Sequence, residues 1–270
     1  TQGVSSAASD VYKRQLLVTG REGQVAQALL AKQTDHLQIE ALGRPTLDLT
    51  YPSSIDLAIA AFRPDVIVNA AAYTAVDKAE SEEETAFAVN ATGAGNVAAA
   101  AAAAGLPIIH ISTDYVFPGD KATPYVETDP TGPQGAYGRS KLAGEVAAAA
   151  ANPRHVILRT AWVYGPYGNN FLKTMLRLAA TRDTLRVVAD QHGTPTYAPD
   201  IAEGILAVAQ RLVSDASAPS GVFHMVSAGE TTWAGFAEEI FRQSAALGGA
   251  AATVEPIGTS EYPTPARLSL

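Results

Sequence analysis

The chain has 270 residues, 47% of them hydrophobic, which is enough for one large α/β domain or a domain with a smaller companion. A formal net charge of −8 argues against a nucleic-acid groove or an anionic membrane surface as partner, and no apolar run approaches the roughly 18 residues of a membrane helix. The sequence contains no cysteine, which excludes disulfides and thiolate metal sites; the cytoplasm is the expected setting.

The two ends stand apart from the rest. DVYKRQ, at 10–15, is what one end of a sequencing transposon encodes, and LSL at 268–270 is what its opposite strand begins to encode. Residues 1–15 and 268–270 are therefore expected to be adapter scars, outside any fold reasoning. On that expectation the first strand has lost its opening residues and the native C-terminus is missing.

From residue 16, short apolar runs alternate with longer helix-like segments. A strand is expected at 16–19, a helix at 24–32, a strand at 38–42 and a helix at 52–62. DVIVNAAA (65–72) reads as a third strand, and 85–104 as one helix whose alanine-rich tail is stopped by Gly105-Leu106-Pro107. LPIIHIS (106–112) reads as a fourth strand, a helix carries 137–141, and HVILRT (155–160) is a fifth strand. Alternating β and α with apolar strands implies a parallel sheet covered on both faces.

Beyond Trp162 the regularity breaks up. VYGPYGNN reads as a loop, 171–180 as a helix, 185–188 as a short strand and 199–212 as a helix; GVFHMV and TTWAGFAEEIF suggest one more strand and helix. The expected architecture is an α/β fold: a Rossmann-type doubly wound parallel sheet at 16–161, then 162–267 completing the sheet and forming a small C-terminal substrate-binding lobe.

Gly20-x-x-Gly23-x-x-Ala26 follows the first strand and opens a helix, the context in which a glycine pattern becomes informative. The glycines permit a tight turn and close approach of backbone N–H groups to a pyrophosphate, while Ala26 is small enough for helix–strand packing. A glycine-rich turn without a ligand is the competing reading. After the second strand come Arg44 and Asp48. An arginine there can pair a 2′-phosphate, which favours NADPH, or be a plain solvated loop charge. Asp48 sits too late for the usual ribose contact and suits the adenine edge better.

HISTDYVF brings Ser112, Thr113 and Asp114 to the carboxyl end of the fourth strand, where open parallel sheets bind ligands. AYGRSKLAGE then places Tyr137 and Lys141 one helical turn apart. That spacing is common by chance. With a phosphate loop upstream it becomes a proton-transfer set, in which an ammonium near the phenol is expected to lower its pKa toward the working range.

Together these residues resemble the extended short-chain dehydrogenase/reductase superfamily: the glycine loop, the NAAA strand, the Ser/Thr strand end and Y-x-x-x-K. DVIVNAAAYTAVDKAE, HISTDYVFPG, YGRSKLAGE, LRTAWVYGPYGNNF, DQHGTPTYAPDIA and EYPTPAR narrow the likeness to the dTDP-4-dehydrorhamnose reductase family, from Leu16 to Arg267. The family continues past PAR into a last helical segment that this chain does not include. The resemblance implies a catalytic set of Thr113, Tyr137 and Lys141. It implies a pyrophosphate loop of Gly20, Gly23, Gln24 and Val25, with Asp48 and Leu49 at the adenine and Ala71, Ala72 and Tyr73 along the cofactor. Thr113, Asp114, Tyr137 and Trp162 would hold a dTDP-deoxysugar. The implied reaction is NADPH-dependent reduction of a 4-keto group, with NADH also accepted; Mg²⁺ and a homodimer are left open, and no metal ligand is assigned.

Two alternatives stay open at this point: another nucleotide-sugar epimerase or dehydratase on the same fold, and a non-catalytic regulatory homologue. Tyr115, where a dehydratase would carry Glu, argues against the first, and the intact Tyr137–Lys141 pair against the second. His110, His192 and His224 read as core or hydrogen-bonded histidines, Glu80 and Glu82–Glu84 as the start of a helix, and Trp233 as lobe packing.

Overall fold

The computed structural model describes residues 14–262 together with Thr264 and Pro265. The expected scars lie outside these residues, except Arg14 and Gln15, which open the first strand. Among the described residues, no helix is long and apolar enough to cross a membrane.

The elements run β1 (Arg14–Thr19), α1 (Gln24–Leu30), β2 (Leu37–Leu42), α2 (Pro52–Phe62), β3 (Val66–Asn69), α3 (Val76–Ala79) and α4 (Glu83–Phe87). A π-helical segment, Ala88–Gly93, leads into α5 (Ala94–Ala103); β4 (Ile108–Thr113), α6 (Ala136–Ala151) and β5 (His155–Thr160) follow. The remainder is β6 (Val163–Tyr164), α7 (Phe171–Ala179), β7 (Thr184–Val188), β8 (His192–Gly193), β9 (Thr196–Tyr197), α8 (Ala198–Ser214), β10 (Gly221–His224), β11 (Thr231–Thr232), α9 (Trp233–Ala246) and β12 (Thr253–Ile257).

Six strands form one parallel sheet in the order β10-β5-β4-β3-β1-β2. Its central strands are fully buried, as at Val66–Asn69, because helices cover both faces. On one face Leu16, Val18, Val68, Ile109 and Leu158 pack against α1 and α8; on the other Leu17, Ile67 and Ile108 meet α2, α5 and α6. Strand β1 has β2 on one side and β3 on the other, so the winding reverses there and opens a crevice at the carboxyl ends. A third apolar cluster, with Trp162, Met175, Leu185, Val187, Phe236, Ile240 and Phe241, gathers α7, β7 and α9 into a lobe of its own.

The observed elements correct the expected ones in several places. The helix expected over 85–104 is interrupted by the π-helical segment, and Gly144 of α6 fits there so tightly that an added Cβ would stand 2.0 Å from the Asn90 carbonyl oxygen. The third strand stops at Asn69, and Ala70 onward is loop. VYGPYGNN is not wholly loop, since Val163 and Tyr164 pair with β9, and Thr231–Thr232 is a short strand that also starts α9, where Thr232 caps the Gly235 N–H.

Candidate active site

The turn expected to hold a pyrophosphate is built as its glycines require. Gly20 has φ +86°, a left-handed conformation, and a Cβ on it would come within 2.8 Å of the Ala71 Cα. Its N–H donates to the Leu42 carbonyl at 2.8 Å, and its own carbonyl accepts from Gly23 N–H at 2.8 Å. Val25 turns its side chain into the core, leaving its backbone as the part that can face a ligand. Gln24 reaches away to the lobe, donating to the Val163 carbonyl at 3.1 Å and accepting from the Asn170 amide at 2.9 Å.

Beside this loop lies a cavity of about 420 Å³ whose lining includes Gly20, Arg44, Asp48, Leu49, Ala71 and Ala72. Six expected cofactor residues thus meet in one hollow, and the sequence reading had missed Gly43, Thr85 and Val89 of its wall. Arg44 is exposed at the rim. Asp48 accepts the Thr50 N–H and hydroxyl, which hold its carboxyl below the usual range. A close-approach glycine turn, an adenosine-sized hollow and an arginine at its edge fit a dinucleotide.

Under the crevice two rows of polar side chains cross the sheet. In the first, the Thr19 hydroxyl donates to Asn69 Oδ1 at 2.6 Å and accepts the Ala71 N–H at 3.1 Å; the Asn69 amide then meets His110 Nδ1 at 3.0 Å. Burial and the Lys141 charge keep the His110 ring neutral. In the second, Glu145 accepts the Ser112 hydroxyl at 2.5 Å and both Nε and one terminal nitrogen of Arg159 at 2.9 and 2.7 Å, all well inside the protein. Glu145 sits one turn past Lys141, a spacing legible in the sequence that the reading passed over.

The expected proton-transfer set comes from the end of β4 and the first turns of α6. Thr113 donates its hydroxyl proton to Asp114 Oδ1 at 2.9 Å and accepts the Tyr115 N–H at 3.3 Å. The Tyr137 ring meets Tyr115 edge to face, with centroids 5.5 Å apart. Burial, reinforced by the Asp114 charge, pushes the Tyr137 phenol above its ordinary value, and a hydrogen bond with Thr113 opposes the rise. Lys141 does not lower it as expected. Its ammonium turns to the strand and donates to the Ile111 carbonyl at 2.7 Å, while burial brings its own pKa down to about 8. Burial also raises Asp114 to about 6. The result is a phenol that stays protonated, as a proton donor requires.

Helix α6, which carries Tyr137, is anchored by contacts that no sequence pattern announced. Glu80 accepts the Ala136 N–H at 2.7 Å and Glu83 pairs with Arg139 at 2.8 Å, so part of the acidic run serves α6 rather than only the start of α4. Asn90 clamps the Tyr73 N–H and carbonyl at 2.8 and 3.0 Å and donates to the Ser140 hydroxyl at 3.0 Å. Tyr73 sends its own hydroxyl to Glu82 at 2.7 Å. His192 lies exposed on β8 rather than in a core.

Trp162 follows β5, whose last residue, Thr160, is the register partner of Thr113. Its φ of 45° is left-handed, rare for a bulky residue. One face of the indole stacks on Trp233 at 3.5 Å between centroids, and the other lies against Gly193, where a Cβ would come within 2.3 Å of the ring. Among the described residues, no group of three or more His, Asp or Glu side chains is arranged to hold a metal ion.

Comparison with known proteins agrees with this geometry. The family model described as RmlD substrate binding domain matches residues 14–269. A dTDP-4-dehydrorhamnose reductase of Sinorhizobium fredii (strain NBRC 101917 / NGR234) is 53% identical over 253 residues, covering 93% of this chain and 86% of its own. One of Burkholderia thailandensis is 47% identical over 259 residues, covering 93% and 87%. The crystal structure of a dTDP-4-dehydrorhamnose reductase from Bacillus anthracis in complex with NADP superposes with a TM-score of 0.89 at 36% identity, over 95% of this chain and 88% of that one.

Proposed function

The chain belongs to the RmlD substrate binding domain family, and from that premise we propose that it reduces dTDP-4-dehydro-L-rhamnose to dTDP-L-rhamnose with NADPH. The observation that carries this reading is the half-buried Tyr137, edge to face with Tyr115 at the carboxyl end of β4, its phenol raised by burial and by the Asp114 charge.

Past the Gly20–Gly23 turn, the first backbone N–H groups of α1, at Gln24 and Val25, would meet the pyrophosphate, Ala71 and Ala72 would line the cofactor's path, and Arg44 would meet the 2′-phosphate. Asp48 and Leu49, which line the cavity, would hold the adenine. NADPH held there would supply the hydride equivalent that the C4 carbonyl carbon needs. Tyr137 gives its proton to the C4 oxygen as charge develops there, and the Thr113 hydroxyl, turning its proton from Asp114, donates a hydrogen bond to the same atom. The two transfers together turn the ketone into an alcohol. Lys141 would contribute positive charge near the ribose, while Asp114 and Trp162 would hold the deoxysugar nucleotide.

Replacing Tyr137 by Phe removes only the proton donor. Steady-state turnover, followed at the nicotinamide absorbance, is expected to fall about 10²- to 10⁴-fold. NADPH affinity, read by fluorescence titration, is expected to stay within about twofold, because the ring and its packing remain. Undiminished turnover in this variant would rule Tyr137 out as the acid.

A further inference from the structure

The chain's two tryptophans form one stack, and we infer that Trp233 is a positioning residue that, with Gly193 on the opposite face, holds the Trp162 indole in place to receive the sugar nucleotide. The inference rests on the reading that Trp162 touches that substrate.

Three features carry it. Trp162 has a left-handed backbone, a conformation that persists only where its surroundings enforce it. The enforcement is visible: Trp233 lies parallel to within 10° on one side, and the glycine on the other leaves no room for any side chain. The clamp also leaves something unused. Trp162 is 9% exposed, and its Nε1–H has no hydrogen-bond partner among the described residues, so the ring is fixed with a dry donor unspent.

Trp233 is itself held. Its Nε1–H donates to Gln191 Oε1 at 3.2 Å, the Gln191 amide donates to the Thr259 hydroxyl at 3.1 Å, and Thr259 donates its hydroxyl to Asp190 at 2.7 Å. Phe171 packs on the indole at 4.7 Å. The stack is thus tied to the turn Thr259–Glu261, and the placement of Trp162 depends on lobe residues that need not contact substrate.

Two variants test the clamp. Trp233→Leu removes the stacking ring and is expected to raise KM for dTDP-4-dehydrorhamnose about 3- to 10-fold, the scale of an aromatic pair interaction. KM for NADPH and kcat are expected to change less than twofold. Trp233→Phe, which restores a flat ring, is expected to recover most of the loss. Fluorescence gives a second readout: in Trp233→Phe the emission comes from Trp162 alone and is expected to respond to dTDP-L-rhamnose, whereas in Trp233→Leu the response needs correspondingly more ligand. Equal losses for sugar and NADPH, or no recovery with Phe, would mean a merely structural residue and overturn the inference. If Trp162→Phe left the KM for the sugar unchanged, the substrate-contact reading would fail instead, whatever Trp233 does.

Discussion

Asp114 shows what the site costs at the scale of one residue. Burial raises its pKa from the usual carboxylate value to about 6, so between pH 4 and 6 the folded protein keeps a proton that the unfolded chain has released. Its contribution to stability is therefore fully present below pH 4 and lost as pH rises through about 6. Asp114→Asn keeps an acceptor for the Thr113 hydroxyl without the charge. Thermal unfolding is expected to show the variant about 3–6 °C more stable than the parent at pH 8, with the gap closing by pH 4. A gap that did not change with pH would mean that the Asp114 carboxylate is not strained by burial. The same burial that destabilises the carboxylate also raises the Tyr137 phenol, and the Asp114 charge adds to that rise.

Among the elements, α6 and the π-helical segment before α5 are the pair on which the site depends. Their backbones touch at Gly144, and Gly144→Ala forces its methyl onto the Asn90 carbonyl, 2.0 Å away before any adjustment. Overpacking of that kind is expected to lower Tm by about 5 °C or more, and to do so more than Gly95→Ala, whose methyl meets only the Ala147 methyl, at the longer distance of 3.2 Å. Melting curves that placed Gly95→Ala below Gly144→Ala would contradict this close contact.

What the sequence disclosed follows from the range of each interaction. The sheet strands were legible because burial on both faces writes an uninterrupted apolar run, and the glycine loop because a left-handed turn excludes other residues. The interruption at Ala88–Gly93 was not, since every residue there tolerates an α-helix and the cause is Asn90 reaching Tyr73 and Ser140 elsewhere in the chain. Likewise Tyr137 and Lys141 were found by spacing, but spacing says nothing about rotamers. That Lys141 turns to the Ile111 carbonyl depends on a strand thirty residues away. The two-residue strands β6, β8, β9 and β11 carry no period to detect.

Across the whole molecule, the sheet and the lobe meet at the start of α1, just past the Gly20–Gly23 turn. Gln24 of the phosphate loop is bonded to Val163 and Asn170, and Asn170 also caps α7 through the Lys173 N–H. Ligand that binds only the folded state raises stability by about 2.7 kcal/mol at one hundred times its Kd. For a chain of this size NADPH at that level is expected to move the melt upward by about 5–10 °C. Because the loop is tied to both parts, the melt is expected to remain a single transition. A split curve in which the sheet moved and the lobe did not would show that these contacts transmit nothing.

The hydrogen-bonded row beneath the crevice has one more consequence, for assembly. Thr19, Asn69 and His110 are direct register partners on β1, β3 and β4, and Ser112, Arg159 and His224 are partners on β4, β5 and β10. Sliding any one strand by a single residue would flip its polar member to the opposite face, among leucines and valines, and leave its neighbours facing hydrocarbon. The apolar stretch Val66–Val68 taken alone would tolerate that slip with little penalty, since one branched side chain replaces another. The polar rows act as notches on a key: they index the strands against one another, and the chain that aligns them has also aligned the floor of its catalytic crevice.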